Sequence, residues 1–156
     1  MSLQDVEHVI ADDGVFPNNA ALPLRIVPRV FQDDITPQKF ERLFRVNGWP
    51  PAWRGGIFDY DHYHSTAHEV LGCFSGSALL QFGGGAQVKV AINAGDAVII
   101  PAGVAHRCLC ADQFVCVGAY PAGQGWDTCL GQPGERPAAD KRIAALGGWV
   151  DDPVAR

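Results

Sequence analysis

The alternation of hydrophobic and polar positions predicts a β-rich domain. Between residues 56 and 121, short apolar segments rich in β-branched residues alternate with clusters of Gly, Pro, Asn and Ser. Short strands separated by regular turn signals are typical of a closed barrel or of two packed β-sheets. The predicted strands cover residues 70–71, 78–82, 88–92, 97–100 and 114–117, with turns at 75–77, 83–85, 93–96 and 101–103.

The segments on either side of this region predict two helices and an arm. Residues 36–47 carry apolar side chains three and four positions apart, which indicates a helix with one apolar face, and Thr36 suits its N-cap. A second, shorter helix is predicted over residues 138–146. Residues 22–27 alternate as an edge strand would, and residues 1–20 are expected to form a loose arm that could pair with a second subunit.

Composition supports a single globular domain of 156 residues, since 47% of the residues are apolar and 19% are charged. The net charge of −5 and the lack of a Lys/Arg cluster argue against nucleic acid or an anionic membrane surface as a partner. No apolar segment approaches the length of a membrane span, so no membrane partner is expected. Five cysteines, an odd number, without an export signal predict a reduced, cytoplasmic protein.

Four residues form a candidate metal site. His62 and His64 are two positions apart, so on a strand both would point to the same side. Glu69 and His106 complete a set of three imidazoles and one carboxylate, which suits iron, manganese, nickel or zinc and leaves room for water or substrate. His68 is an alternative to Glu69, because adjacent strand residues face opposite sides and only one of the two can enter easily.

Several neighbours of this set are candidates for ligand contact. Phe58 and Tyr60 extend the same alternation, so both are expected to face inward, where Tyr60 would either donate a proton or pack as a barrel-lining aromatic. Cys108 and Cys110 continue the inward alternation after the last histidine, as reactive thiols or as small buried hydrophobic residues. The weaker candidates for substrate contact are Arg54, Gln81, Arg107 and Asp127.

The spacing of these residues resembles the two motifs of the cupin superfamily. The first motif consists of a glycine, two histidines, a glutamate and a second glycine, here Gly56, His62, His64, Glu69 and Gly76. The second motif consists of a glycine, a proline, a glycine, a histidine and an asparagine, here Gly95, Pro101, Gly103 and His106, with Cys110 in place of the asparagine.

The resemblance implies a single cupin domain over residues 1–156 with an all-β fold. The fold would be a double-stranded β-helix, a jelly-roll barrel, with its core at about residues 54–121. Residues 1–53 would form the arm and the N-terminal helix, and residues 122–156 the C-terminal tail and helix.

The resemblance also implies a function. The family spacing favours Glu69 over His68 as the fourth ligand of one divalent transition metal. The implied activity is that of a small-molecule metalloenzyme of the dioxygenase, isomerase or lyase type. A non-catalytic module that binds a small molecule or a sugar is the alternative. Cupins with short arms are often dimers, so a homodimer is expected.

Overall fold

The computed structural model describes residues 4–85, 88–149 and 151–156. Within these residues the chain forms seven strands and two helices. In chain order they are β1 (Val6–Ile10), β2 (Asn19–Val27), α1 (Pro37–Val46), β3 (Pro51–Gly55), β4 (Glu69–Phe82), β5 (Val88–Asn93), β6 (Ala97–Ile100), β7 (His106–Ala119) and α2 (Ala138–Leu146). No helix in the described part of the chain is long and apolar enough to cross a membrane.

The strands form one antiparallel sheet in the order β1-β2-β6-β4-β7-β3, with β5 paired to β4. One side of β4 pairs with β7 along most of its length. Its other side pairs first with β6 and then, from Ser77 onward, with β5. Register shifts between Cys73 and Ser77 mark the bend at which β4 changes partner. The sheet therefore curls into a jelly-roll barrel, as the sequence predicted.

The sheet buries residues on both faces. Val98 and Ile100 of β6 point into the barrel interior, whereas Ile99 between them packs in a second cluster with Phe40 and Phe44 of α1. This alternation follows from the two-residue period of a strand. The helix thus covers the outside of the barrel, and the other face lines the interior.

Both predicted helices are confirmed. The hydroxyl of Thr36 accepts a hydrogen bond from the backbone N–H of Lys39 at 3.3 Å, as an N-cap should. The second helix, α2, has the predicted bounds. The predicted turn before β6 is also present. There Gly95 has a φ of 102°, and a Cβ at this position would lie 2.3 Å from the carbonyl oxygen of Phe31.

Three predictions about the strands are wrong. The arm was predicted to be loose, but it contains β1, which pairs with β2. The strand β2 is therefore an inner strand and not the predicted edge strand. The first three residues of the arm lie outside the described residues. The predicted turn at 75–77 is a bulged part of β4, because a strand that changes partners needs such an irregularity. Residues 56–68 form no continuous strand and make only isolated bridges at His62 and Tyr63.

Candidate metal centre

The fold brings together four residues that are far apart along the chain. Glu69 is the first residue of β4, and His106, the first residue of β7, pairs with Phe82 at the other end of β4. In a flat sheet, a strand of the length of β4 would hold these ends about 40 Å apart. In the curled sheet, Glu69 Oε1 lies 3.3 Å from His106 Nε2.

The two remaining histidines reach the same point from a loop. The backbone N–H of His62 donates to the carbonyl of His106 at 3.2 Å, and the N–H of His106 donates back at 2.9 Å. The carbonyl of His64 accepts from the N–H of Gly103 at 2.8 Å. These bonds fix the loop against the start of β7 and the turn before it. The ligand nitrogens of His62, His64 and His106 consequently lie within 4.8 Å of one another, and all three residues are buried.

Hydrogen bonds to backbone carbonyls determine the orientation of the three imidazoles. The Nδ1 atoms of His62 and His106 lie 3.1 and 2.9 Å from the carbonyl oxygens of Tyr60 and Val104, and Nδ1 of His64 contacts the carbonyl oxygen of Asp127. A carbonyl oxygen only accepts, so each Nδ1 must carry the hydrogen. In its neutral form, each ring therefore presents its Nε2 lone pair, which is the arrangement of a metal-ligating histidine.

Two buried acceptors in this cluster have no hydrogen-bond partner among the described residues. They are Glu69 Oε1 and His106 Nε2. An unpaired buried polar atom costs about 1–3 kcal/mol, and more when the group is charged. A cation between them would satisfy both atoms, so the residues present fit a metal ion.

A short chain of hydrogen bonds holds the carboxylate. The Tyr120 hydroxyl donates to Glu69 Oε2 at 2.7 Å, and the Trp53 indole N–H donates to the Tyr120 oxygen at 2.9 Å. Burial alone would raise the pKa of Glu69, but the charge of neighbouring His64 outweighs burial and holds that pKa well below its usual range. Glu69 is thus a charged carboxylate with one oxygen occupied and the other directed at the histidines.

The pKa values of His62 and His64 are shifted in opposite directions. Burial, together with neighbouring His106, lowers the pKa of His62 to about 3. Burial acts in the same direction on His64, but the Glu69 carboxylate outweighs it and the pKa of His64 is raised. A proton on His64 therefore competes with a cation for the Glu69 charge.

His68 lies outside the cluster. Its Nδ1 accepts from the backbone N–H of Ala102 at 2.9 Å, so its Nε2 carries the hydrogen and donates to the carbonyl of Gly147 at 2.8 Å. Burial lowers the pKa of His68, in agreement with a neutral ring. Both nitrogens are engaged, so His68 connects the barrel to the end of α2, while Glu69 takes the place beside the histidines.

Phe58 and Tyr60 were predicted to face inward, and this prediction is wrong. Their side chains have 53% and 43% of their surfaces exposed. The reason is that residues 56–64 form a loop with bends and do not alternate as a strand would. Phe58 still lines the cavity over the cluster, but Tyr60 does not. The backbone carbonyl of Tyr60, not its hydroxyl, contacts His62.

Gln81, Cys108 and Cys110 do not line this cavity. Cys108 packs in the barrel interior, Gln81 is buried opposite Arg107, and Cys110 is exposed. The inward alternation stops after Cys108 because a bulge shifts the register of β7 against β4 at this point. The cysteines, all within the described part of the chain, form no disulfide.

Sequence reasoning missed Tyr120 and underestimated Asp127. Tyr120 continues the inward alternation of Phe114 and Cys116 along β7, so a longer strand prediction would have found it. The sequence predicts Asp127 only as a weak candidate for substrate contact. Its carboxylate accepts from the backbone N–H of Ser65 at 2.6 Å and from the Ser65 hydroxyl, which places its own carbonyl against His64. No local pattern signals this long-range contact.

The cluster lies at the base of an open cavity of about 370 Å³. Aromatic and glycine residues dominate its wall. The lining residues are Trp53, Arg54, Gly55, Gly56, Ile57, Phe58, His62, His64, Glu69, His106, Tyr120, Trp126 and Thr128.

Comparison with known proteins agrees with this architecture. Residues 53–117 match the family model described as Cupin domain. The uncharacterized protein YjlB of Bacillus subtilis (strain 168) is 37% identical over 155 residues, which cover 99% of this chain and 92% of that protein. The crystal structure of the 11S allergen from Cocos nucifera L. aligns with 86% of this chain at 16% identity and a TM-score of 0.39. This chain spans 40% of the length of the allergen chain.

Proposed function

This chain belongs to the cupin superfamily, and we propose that it holds one divalent transition metal for work on a small molecule. The ligands would be His62, His64, Glu69 and His106. One observation carries the proposal: three Nε2 lone pairs and one carboxylate oxygen converge in a buried site. Hydrogen bonds to the remote atom of every one of these groups set that orientation.

The donor set limits the metal. Three imidazoles and one carboxylate suit iron, manganese, nickel or zinc, whereas calcium and magnesium prefer shells made only of oxygen. Such a metal, when bound, polarises a carbonyl or enolate oxygen or lowers the pKa of a bound water. Four protein ligands leave positions free for a ligand that enters from the cavity.

The chain's own residues would bind and orient this ligand. Tyr120 keeps Glu69 Oε2 occupied, so that Oε1 alone faces the histidines, and Asp127 keeps His64 in place. The four aromatic side chains that line the cavity beside the cluster, here called the aromatic wall, would contact this ligand; they are Trp53, Phe58, Tyr120 and Trp126. We favour a reaction of the dioxygenase, isomerase or lyase type for this arrangement.

A non-catalytic binding module is the second candidate, favoured by one observation. Tyr120 has the phenolic hydroxyl beside the cluster, but burial and the Glu69 charge raise its pKa, and its proton is already donated to that carboxylate. A proton donor held in this way is a poor general acid. Turnover of a broad metabolite panel by the metal-loaded protein would separate an enzyme from a binding module.

We also propose that the protein is a cytoplasmic homodimer. The free cysteines support a reducing compartment. At one end of the strand order, β1 leaves one of its edges unpaired among the described residues, and a second copy could pair there. Analytical ultracentrifugation would test the dimer, and a monomer across the concentration range would contradict it.

The experiment that tests the metal proposal is elemental analysis of untagged protein. We expect about one equivalent of a transition metal in the wild type and a loss of metal in His62→Ala and Glu69→Gln. His8→Ala is the matched control, because His8 lies on β1, outside the cluster. A wild-type protein that holds no metal, and takes up none of the four candidates, would refute the proposal.

A further inference from the structure

Two large aromatic side chains at the mouth of the cavity are unusually exposed. Phe58 and Trp126 have 53% and 48% of their surfaces accessible, and both line the cavity above the histidine cluster. Exposed aromatic surface in a cavity is typical of a ligand-binding site, because a bound ligand removes this apolar surface from water.

Each of these rings forms a parallel stack with a tyrosine ring. Phe58 stacks on Tyr60 at 4.9 Å and 11°, and its ring centroid lies 5.1 Å from that of His62. Trp126 stacks on Tyr120 at 4.6 Å and 10°, and the ring of Tyr120 lies 5.8 Å from that of His64. Flat aromatic surfaces therefore flank the cluster beside two different histidines.

The polar groups in the wall are few and largely engaged. The guanidinium of Arg54 is held by Glu41 through two hydrogen bonds of 2.8 Å, and the Tyr120 hydroxyl already binds Glu69. Among the described lining side chains outside the cluster, only the Thr128 hydroxyl and the Trp126 indole N–H remain available to bind a polar group of a ligand. A sugar would leave most of its hydroxyls unpaired here, and a second carboxylate would find no free cation.

The size of the cavity limits the ligand further. The cavity volume is about 370 Å³. This volume lies near the lower end of the range for small-molecule pockets, about 300–1,000 Å³, so it favours a small ligand such as one or two fused rings with a short polar group.

We propose that this cavity binds a planar aromatic or heteroaromatic molecule whose single oxygen or nitrogen donor points at the histidine cluster. Phe58 and Trp126 select the molecule by stacking on its rings. The contact of the donor atom with the cluster rests on the proposed metal. The stacking of the rings depends only on the aromatic wall.

The test is calorimetric titration of the zinc-loaded protein with three carboxylates. These are 2-naphthoate, its saturated analogue decahydro-2-naphthoate, and glucuronate, which has as many non-hydrogen atoms as 2-naphthoate but carries hydroxyls. We expect 2-naphthoate to bind about tenfold more tightly than the saturated analogue, since two stacking contacts are lost with aromaticity. Glucuronate should bind more weakly still.

The variants Trp126→Ala and Phe58→Leu should each weaken 2-naphthoate binding about threefold to tenfold without changing metal content. Leu130→Ala is the control, because Leu130 is also an exposed apolar residue, 43% accessible, but does not line the cavity. Equal binding of 2-naphthoate and glucuronate, or an affinity unaffected by both aromatic variants, would overturn the proposal.

A parallel titration of metal-free protein with 2-naphthol separates this proposal from the metal proposal. The neutral probe avoids placing a second carboxylate against Glu69. Binding that Trp126→Ala weakens supports the aromatic wall even if the wild type never takes up metal. A metal-free protein that binds no 2-naphthol overturns the stacking role, whatever the metal analysis gives.

Discussion

The hydroxyl of Tyr120 offers a direct test of how the carboxylate ligand is held. Tyr120→Phe removes one oxygen atom and leaves the ring, which stacks on Trp126, in place. The change deletes the 2.7 Å hydrogen bond to Glu69 Oε2 and leaves the indole N–H of Trp53 without its acceptor. Glu69 and Tyr120 are both buried, so water does not readily replace the lost donor.

The expected effect on metal affinity follows from the charge of Glu69. A hydrogen bond to a charged group contributes about 1.5–3 kcal/mol. This bond exists whether or not metal is bound, so metal affinity changes only through the lost orientation of the carboxylate. Removing such a partner of a metal ligand typically weakens metal binding about tenfold to a hundredfold. The effect should be smaller if Glu69 turns to use both oxygens.

The assay is a competition titration of zinc against a chelator of known affinity. Tyr63→Phe is the matched control, because the Tyr63 hydroxyl also donates to a carboxylate, Glu135, at 2.7 Å, but in a separate core cluster. Both variants should lose stability in urea unfolding, and only Tyr120→Phe should lose metal affinity. If the two variants bound zinc equally well, the positioning role of Tyr120 would be wrong.

Three further predictions concern the scaffold. His68→Ala should lower the free energy of unfolding by about 3 kcal/mol, because two buried backbone groups lose their partner, yet metal content by elemental analysis should remain at the wild-type value. Gly118→Ala should shift tryptophan fluorescence, since the added Cβ would lie 2.2 Å from the ring of Trp53. Its cost in urea unfolding should be about 1–3 kcal/mol, and an unchanged midpoint would contradict this packing. The hydrogen bond from Arg136 lowers the pKa of Asp12 to about 2. This carboxylate therefore stabilises the fold above its unfolded pKa of about 3.9 and ceases to do so as pH falls through its folded pKa. Asp12→Asn should be less stable than wild type by under about 1 kcal/mol near pH 6, and the difference should vanish only below pH 2 in acid titrations followed by circular dichroism.

Local rules were sufficient for the helices. The cap at Thr36, the three-and-four spacing of the apolar residues that follow and the stop at Gly48 act within one or two turns, so α1 could be located from sequence. The strands were harder to delimit. The strand β4 has a bulge where its pairing partner changes from β6 to β5. In the sequence this bulge cannot be distinguished from a turn, because both are rich in glycine and serine.

The candidate site shows the same division. Tyr60 precedes His62 by two, which predicts that both side chains face the same side. The loop there does not alternate, and Tyr120 lies beside the carboxylate instead. His68 and Glu69 are neighbours that residue type alone left as competitors. His68 lies outside the cluster because its ring accepts a hydrogen bond from Ala102 and donates one to Gly147, both far away along the chain.

The sequence by itself determined which donors are available, since the spacing of His62, His64, Glu69 and His106 within two motifs specifies their chemistry and their family resemblance. Only the tertiary structure decided that these donors meet. The two ends of β4 would lie about 40 Å apart in a flat sheet. They come within contact of one another because the bulged strands curl around a shared apolar interior. The hydrogen bonds that orient each ring and the aromatic wall above them depend on the same curvature, which is a property of the whole sheet and of no single segment.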